Sequence, residues 1–310
     1  MEMNSKDKTT VFVTGGTGFI GRQLLNALED KCVIRCLART SERATLCKDK
    51  GFEAFIGNIL DAETLRGSLE GVDMVIHLVG IIEDRGDMTF ERVHVGGTKN
   101  IVEEAKRAGV SRFFYQSALG ASLNSSSRYQ RTKAEAEELV KESGILSTIF
   151  RPSVIIGAED GFTEKLMELV RLGPVVTVPG DGNAKSQPMD VGDWVKCFMT
   201  IINNPEAAGK TYEFGGPEQL TYNEIVTRLM KVMGVKKPII HMPMSFVRAG
   251  VPFIGIAQGL GKFLGKRIPS VTSEQLKLLS MDNICDTASV EKLFGFRPIT
   301  FRESLRKFIE

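Results

Sequence analysis

The chain has 310 residues, 42% of them hydrophobic and 25% charged, with a formal net charge of +2. A chain of that size buries roughly 75% of its unfolded surface and needs neither disulfide nor metal to hold a core. Balanced, dispersed charge argues against a nucleic-acid partner, and no run of about 18 apolar residues provides a transmembrane segment.

The opening "MEMNSKDKTT" is polar and carries both charge signs, unlike a signal or transit peptide. From residue 10 to 156, short apolar runs alternate with helical patterns. Candidate strands are "TVFVTG", "KCVIRCLAR", "FEAFIGN", "MVIHLVG", "RFFYQSA" and "LSTIFRPSVIIG". Between them lie "GRQLLNALED", "DAETLRGSLEG", "TKNIVEEAKRAG" and "AEAEELVKESG". Uninterrupted apolar strands spaced by helices predict an α/β fold with a doubly wound parallel sheet, covered on both faces. After residue 157, Gly and Pro accumulate in "RLGPVVTVPGDGNAKSQPMD", before a helix, the strand "TYEFGG" and further helices. The expected organisation is a large domain over 9–156 plus about 186–215, and a smaller, partly interleaved α/β domain over 157–185 plus 216–310. In such folds ligands bind at the carboxyl edge of the sheet.

"VFVTGGTGFIGRQLL" places Gly15, Gly18 and Gly21 at the junction of the first strand and first helix. The spacing G-x-x-G-x-x-G permits a tight turn, close approach of a pyrophosphate and close helix–strand packing. The helix N-terminus adds unpaired N–H groups and a positive dipole end. Thr17, Phe19 and Ile20 lie in the same loop and join the glycines as expected cofactor contacts. A site for NAD(H) wants an acid at the end of the second strand, where "CLARTSER" has Arg39 instead. A guanidinium grips a 2′-phosphate bidentately and an acid would repel it, so NADP(H) is favoured over NAD(H). Ser41 and Arg43 can assist, and Arg22 is a weaker candidate.

"SSSRYQRTKAEAEELVKESG" holds Tyr129 and Lys133, one helical turn apart and so on one face. The spacing alone is commonplace. Its place after the fifth strand, at the start of the next helix, makes it specific. With the glycine loop, this pair resembles the short-chain dehydrogenase/reductase superfamily in its extended or atypical branch, a Rossmann fold with a C-terminal substrate domain. The resemblance is carried by "TGGTGFIG", "GNILD", "VIHLVG", "HVGGTKN", "YQSALGA", "YQRTK", "FRPSVIIG" and "QPMDVGD". It implies Tyr129 as the proton donor or acceptor, with Lys133 lowering its pKa and holding the nicotinamide ribose. It also implies cofactor contacts from Asn58, Ile59, Leu78, Val79, Gly80, Pro152 and Val154. Ser117 is the candidate oxyanion donor, although Ala118 stands where epimerases and dehydratases of the family carry a hydroxyl. His94 replaces a common Asn, either as a proton relay or as a structural hydrogen-bonding residue; His77 reads as a core histidine, and His241 carries no clear signal.

"SALGA", "YQRTKAEAE" and "FRPSVIIGAEDGF" are most similar to an atypical subgroup containing the NAD(P)H-binding accessory subunit of respiratory complex I and its bacterial relatives. That subgroup implies tight NADPH binding and neighbours reductases of quinones and isoprenoids. Three readings follow. One is an oxidoreductase for an apolar carbonyl, quinone or lipid. Another is a non-catalytic NADPH-binding assembly or stability factor. The last is an NAD-retaining nucleotide-sugar epimerase or dehydratase, against which Arg39 and "SALGA" count. A homodimer is a family expectation.

In the second domain, Met189, Asp190, Asp193 and Trp194 of "QPMDVGDWVKC" border the expected pocket or else serve packing and capping. The stretch 243–267 mixes apolar and cationic residues, interrupted by Arg248, Pro252 and Lys262. It reads as a surface for an apolar ligand or membrane, or as an ordinary helix with snorkelling lysines. The five cysteines, 32, 36, 47, 197 and 285, have no metal-ligand spacing. Reduced thiols, no metal and a cytoplasmic location are expected.

Overall fold

The computed structural model describes residues 8–202, 204–250 and 272–309. Its first strand, β1 (Thr10–Thr14), is a run of apolar and β-branched residues with Val11, Phe12 and Val13 wholly buried. Such a strand needs cover on both faces, which places it at the centre of a sheet. On either side lie β2 (Val33–Ala38) and β4 (Met74–His77), both parallel to it. The sheet extends through β3 (Glu53–Ile56) on one side and through β5 (Arg112–Gln116) and β6 (Leu146–Pro152) on the other. The segment Thr211–Phe214 completes a seven-stranded sheet beyond β6. The doubly wound expectation holds, and the chain order reverses between β1 and β4. In open α/β sheets the crevice beyond that switch point is where ligands bind.

Helices cover the sheet because their apolar residues recur every three to four positions. In α1 (Phe19–Leu28), Leu24, Leu25 and Leu28 are buried. In α3 (Gly97–Arg107) and α4 (Arg128–Lys141), Ile101, Val102, Ala105, Ala136 and Val140 share one core with Phe12, Val75, Phe113 and Tyr115. Truncating Leu24 or Ile101 to Ala should cost about 2–5 kcal/mol. The helix α2 (Ser41–Lys48) starts at the Thr40 cap, just beyond β2. A π-helical turn, Glu91–Gly96, runs directly into α3. There a β-carbon on Gly97 would stand 2.6 Å from Ile59 Cδ1, so glycine lets this helix start approach the loop after β3. The last candidate strand, "LSTIFRPSVIIG", divides into β6 and the short pair Ile155–Ile156.

Compact packing divides the chain into Met1–Arg151 with Val195–Tyr212, and Pro152–Trp194 with Glu213–Glu310. The second unit has its own core, in which Val176, Val178, Leu220, Ile225, Leu229 and Phe301 are all buried. Two parallel strands, Val176–Pro179 and Ile239–Met242, and a helix at Tyr222–Val232 capped by a reciprocal Thr221–Glu224 box build it. Asp190 is buried there and accepts from Ser304 Oγ at 2.6 Å and from Lys307 Nζ at 3.1 Å, which is a structural tie. Of the stretch 243–267, the helix Met244–Gly250 is described, with Phe246 exposed; 251–267 lies outside the described residues.

Candidate active site

The end of β1 turns at Gly15, whose φ of 76° is a left-handed conformation suited to glycine. The turn closes with Gly18 N–H donating to Gly15 C=O at 2.9 Å. A β-carbon on Gly21 would overlap the Gly15 carbonyl oxygen and lie 2.7 Å from Gly16 Cα. One on Gly15 would lie 3.3 Å from the backbone of Leu78 and Val79, at the end of β4. The loop is therefore packed backbone against backbone. Gly18 caps α1 without a side-chain acceptor, and the first turn of α1 has no acidic residue. That leaves a concave, uncapped helix start beside the sheet's switch point, a fit for a pyrophosphate.

Arg43 Nη1 donates to Thr17 Oγ1 at 2.9 Å, tying α2 to the glycine loop. Arg39, exposed just past β2, donates to Met88 Sδ at 3.4 Å. Asn58 turns the loop after β3 by accepting from Leu60 N–H at 3.1 Å, and the carbonyl of buried Ile59 accepts from Asn100 Nδ2 at 2.7 Å.

Tyr129 and Lys133 stand on the first turns of α4, which begins at Ser127, whose Oγ accepts from Gln130 N–H at 3.2 Å. Lys133 Nζ is buried. It donates to Gln116 C=O at 2.8 Å and lies 5.0 Å from the centre of the Tyr115 ring. A β-carbon on Gly80 would lie 3.1 Å from Nζ, so the ammonium faces the backbone just beyond β4. Burial lowers the Lys133 pKa to about 7 against an opposing pull from the Glu137 carboxylate. Burial also raises Tyr129 to about 12, so its phenol is protonated across the physiological range.

The Tyr129 ring meets His94 edge-on at 5.5 Å and Phe90 at 6.0 Å. His94 Nε2 accepts from Ile81 N–H at 3.1 Å, which leaves the proton on Nδ1, 2.9 Å from Thr132 Oγ1. Thr132 in turn donates to the carbonyls of Arg128 and Tyr129. The imidazole thus joins the π-helical turn, the loop after β4 and α4. His77 is buried between Thr14 Oγ1 at 2.6 Å and Thr98 Oγ1 at 3.1 Å. Burial, with the Lys133 charge adding to it, holds His77 at about 3 and His94 well below the usual imidazole range. Arg128 stacks on Phe90 and pairs with Asp84 at 2.9 Å and Glu91 at 2.8 Å, fastening the loop 81–90 to α4.

Ser117 follows β5, and its hydroxyl donates to Glu137 Oε1. Glu137 is fully buried and gripped by Arg151 through Nε at 2.8 Å and Nη2 at 2.6 Å. Pro152 and Val154 follow Arg151 and fall in the second compact unit.

An NAD dependent epimerase/dehydratase model matches residues 11–215. The chain belongs to this family. Members bind a nicotinamide cofactor. The mouse mitochondrial NADH dehydrogenase [ubiquinone] 1 alpha subcomplex subunit 9 is 33% identical over 216 residues, covering 68% of this chain and 57% of that one. The chain spans under two thirds of the length of the first relatives it matches. A ceramide reductase of Caulobacter vibrioides is 28% identical over 242 residues, covering 78% of this chain and 76% of that one. In fold, it is similar to the crystal structure of an NADPH-dependent quinone oxidoreductase from Escherichia coli, with a TM-score of 0.74 at 21% identity, over 97% of this chain and 100% of that one.

The glycine loop meets Leu78 and Val79, and Lys133 meets Gly80, so these residues gather at one end of the sheet. Glu137, Arg151 and Thr132 did not stand out in the sequence, though Glu137 sits one turn after Lys133, where an acid beside a buried lysine is a readable signal. No group of residues suited to a metal occurs among the described residues. None of their helices is long and apolar enough to cross a membrane. A cleft of about 970 Å³ between Asp181, Asn183, His241, Met244 and Asp282 lies wholly in the second unit, apart from every residue of this site.

Proposed function

We propose that the chain is an NADP(H)-dependent oxidoreductase that reduces an apolar carbonyl or quinone-like substrate. The observation that carries the proposal is buried Lys133, facing Gly80 at the switch point, with half-buried Tyr129 one turn before it on α4. Lys133 holds the nicotinamide ribose, and Gly15, Thr17, Gly18, Phe19, Ile20 and Gly21 hold the pyrophosphate. Asn58, Ile59, Leu78 and Val79 would line the rest of the cofactor. When bound, the cofactor supplies the hydride. A phenol with a pKa of about 12 is a proton donor at neutral pH rather than a base, so Tyr129 gives its proton to a developing alkoxide. Arg39 and Arg43 supply the charge for a 2′-phosphate, and Arg43 already reaches Thr17. Phe90 meets the Tyr129 ring edge-on, an apolar contact in keeping with the lipid substrate in the name of the Caulobacter relative.

The test is reduction of a long-chain ketone and of a short-chain quinone with NADPH or NADH. Wild-type turnover that prefers NADPH and disappears in Tyr129→Phe supports the proposal. Equal turnover by Tyr129→Phe overturns it. A second reading is a non-catalytic NADPH-binding factor. It draws support from Ser117, whose proton is committed to Glu137, and from Ala118 at the family's hydroxyl position. Losing one oxyanion donor typically costs about 10²–10³ in rate. Under that reading, Tyr129→Phe keeps its cofactor and complements a null strain in full.

A further inference from the structure

Glu137 is a fully buried carboxylate outside the acid–base pair, and its neighbours are unusually specific. Arg151 grips both its oxygens at 2.8 and 2.6 Å, Lys141 Nζ stands 3.6 Å from Oε2, and Ser117 Oγ donates to Oε1. Ser117 is the residue after Gln116, and the Gln116 carbonyl is the acceptor for Lys133 Nζ at 2.8 Å. Two side chains of α4, one turn apart, therefore clasp two successive residues at the end of β5. Lys133 takes the backbone of one, and Glu137 takes the side chain of the next.

We propose that Glu137 is a positioning residue for Lys133: fastened by Arg151, it ties the end of β5 to α4 through Ser117 and supplies the carboxylate that keeps the buried ammonium charged. The proposal rests on the reading of Lys133 as the cofactor's ribose ligand.

The groups facing Lys133 are few. His77 from β4 and His94 from the π-helical turn are both held neutral by burial. Tyr115 from β5 and Tyr129 from α4 are both held protonated by it. Glu137 is the carboxylate that opposes the desolvation of Lys133. Arg151 donates to both oxygens of that same carboxylate. Removing Glu137 therefore takes away charge compensation and the strand tether together, whereas removing the Ser117 hydroxyl takes away the tether alone.

The experiment is an NMR titration of the Lys133 side chain in ¹³C,¹⁵N-lysine-labelled protein, assigned by the signal missing from Lys133→Met, together with calorimetric titration of NADP⁺ from pH 5.5 to 8.5. Glu137→Gln should move the Lys133 midpoint down by about one pH unit and weaken NADP⁺ about tenfold above it, with little change below it. Glu137→Gln/Arg151→Met removes both members of the ion pair, so it guards against misfolding; its midpoint should move the same way by less. Ser117→Ala should weaken NADP⁺ a few-fold at every pH. An unmoved Lys133 midpoint in both Glu137 variants overturns the proposal. So does a loss of affinity in Glu137→Gln that is uniform across pH and cured by the double variant, which marks a structural pair only. If the midpoint moves while the wild type binds neither NADP⁺ nor NAD⁺, the functional reading fails and the clasp stands.

Discussion

On the proposed reading, the glycine loop and the first turns of α4 meet the same ligand chemistry in opposite ways. The loop strips away side chains until backbone touches backbone: Gly21 has no room for a β-carbon against Gly15, and Gly15 has little against Leu78. Its binding power is in main-chain N–H groups, which carry no pKa and do not move with pH. The α4 site does the reverse, setting a buried ammonium, opposed in its desolvation by the Glu137 carboxylate, beside a half-buried phenol. Steric precision secures the first region and balanced ionisation the second. Substitutions should therefore fail differently in the two places.

The most severe failure belongs to the loop. Gly21→Val has nowhere to put its side chain, so it should lose dinucleotide binding at every pH and unfold at markedly lower temperature, as read by calorimetry and differential scanning. Next comes Tyr129→Phe, expected to lower turnover by about 10²–10⁴ while binding NADPH within a few-fold of wild type, because a phenyl ring keeps the packing on His94 and Phe90. Arg39→Ala/Arg43→Ala should follow, lowering the NADPH-to-NADH affinity ratio by roughly 10–100-fold with little effect on NADH. An unchanged ratio would remove the case for a 2′-phosphate site. The smallest and most telling effect is in stability. Lys133 titrates near 7 in the folded chain and near 10.5 unfolded, so between those values the unfolded chain holds more protons and stability rises with pH. Lys133→Met should accordingly be more stable than wild type at pH 6, by roughly 1–4 kcal/mol, and the gain should shrink toward pH 10. A variant less stable at every pH would show that the hydrogen bond to Gln116 outweighs the desolvation of the charge.

The fold was legible because its signals are local. Apolar strands at helix-spaced intervals announce a covered parallel sheet, and three glycines at a strand–helix junction announce the loop that the structure forms. Tyr129 and Lys133 were legible for the same reason, being one turn apart on a single helix. What escaped the sequence depends on distant partners. Ser117 reads as a hydroxyl near an active site until Glu137, twenty residues on, is seen to take its proton. His94 reads equally as relay or strut until Ile81 and Thr132 occupy its two nitrogens. The π-helical turn that presents it has no composition of its own; it arises where Gly97 lets α3 close on Ile59.

Histidine is ordinarily the residue by which a protein notices mild acid. His77 and His94 are set too deep for that, pinned neutral through hydroxyls and a backbone amide. In the unfolded chain both would take up protons below about 6.5, whereas folded His77 waits until about 3. Acid therefore acts on the equilibrium rather than on the shape. Each pH unit of descent through that window withdraws about 1.4 kcal/mol from the folded state through His77, and His94 acts in the same direction. The two imidazoles thus weigh against the folded state in acid while staying neutral within it.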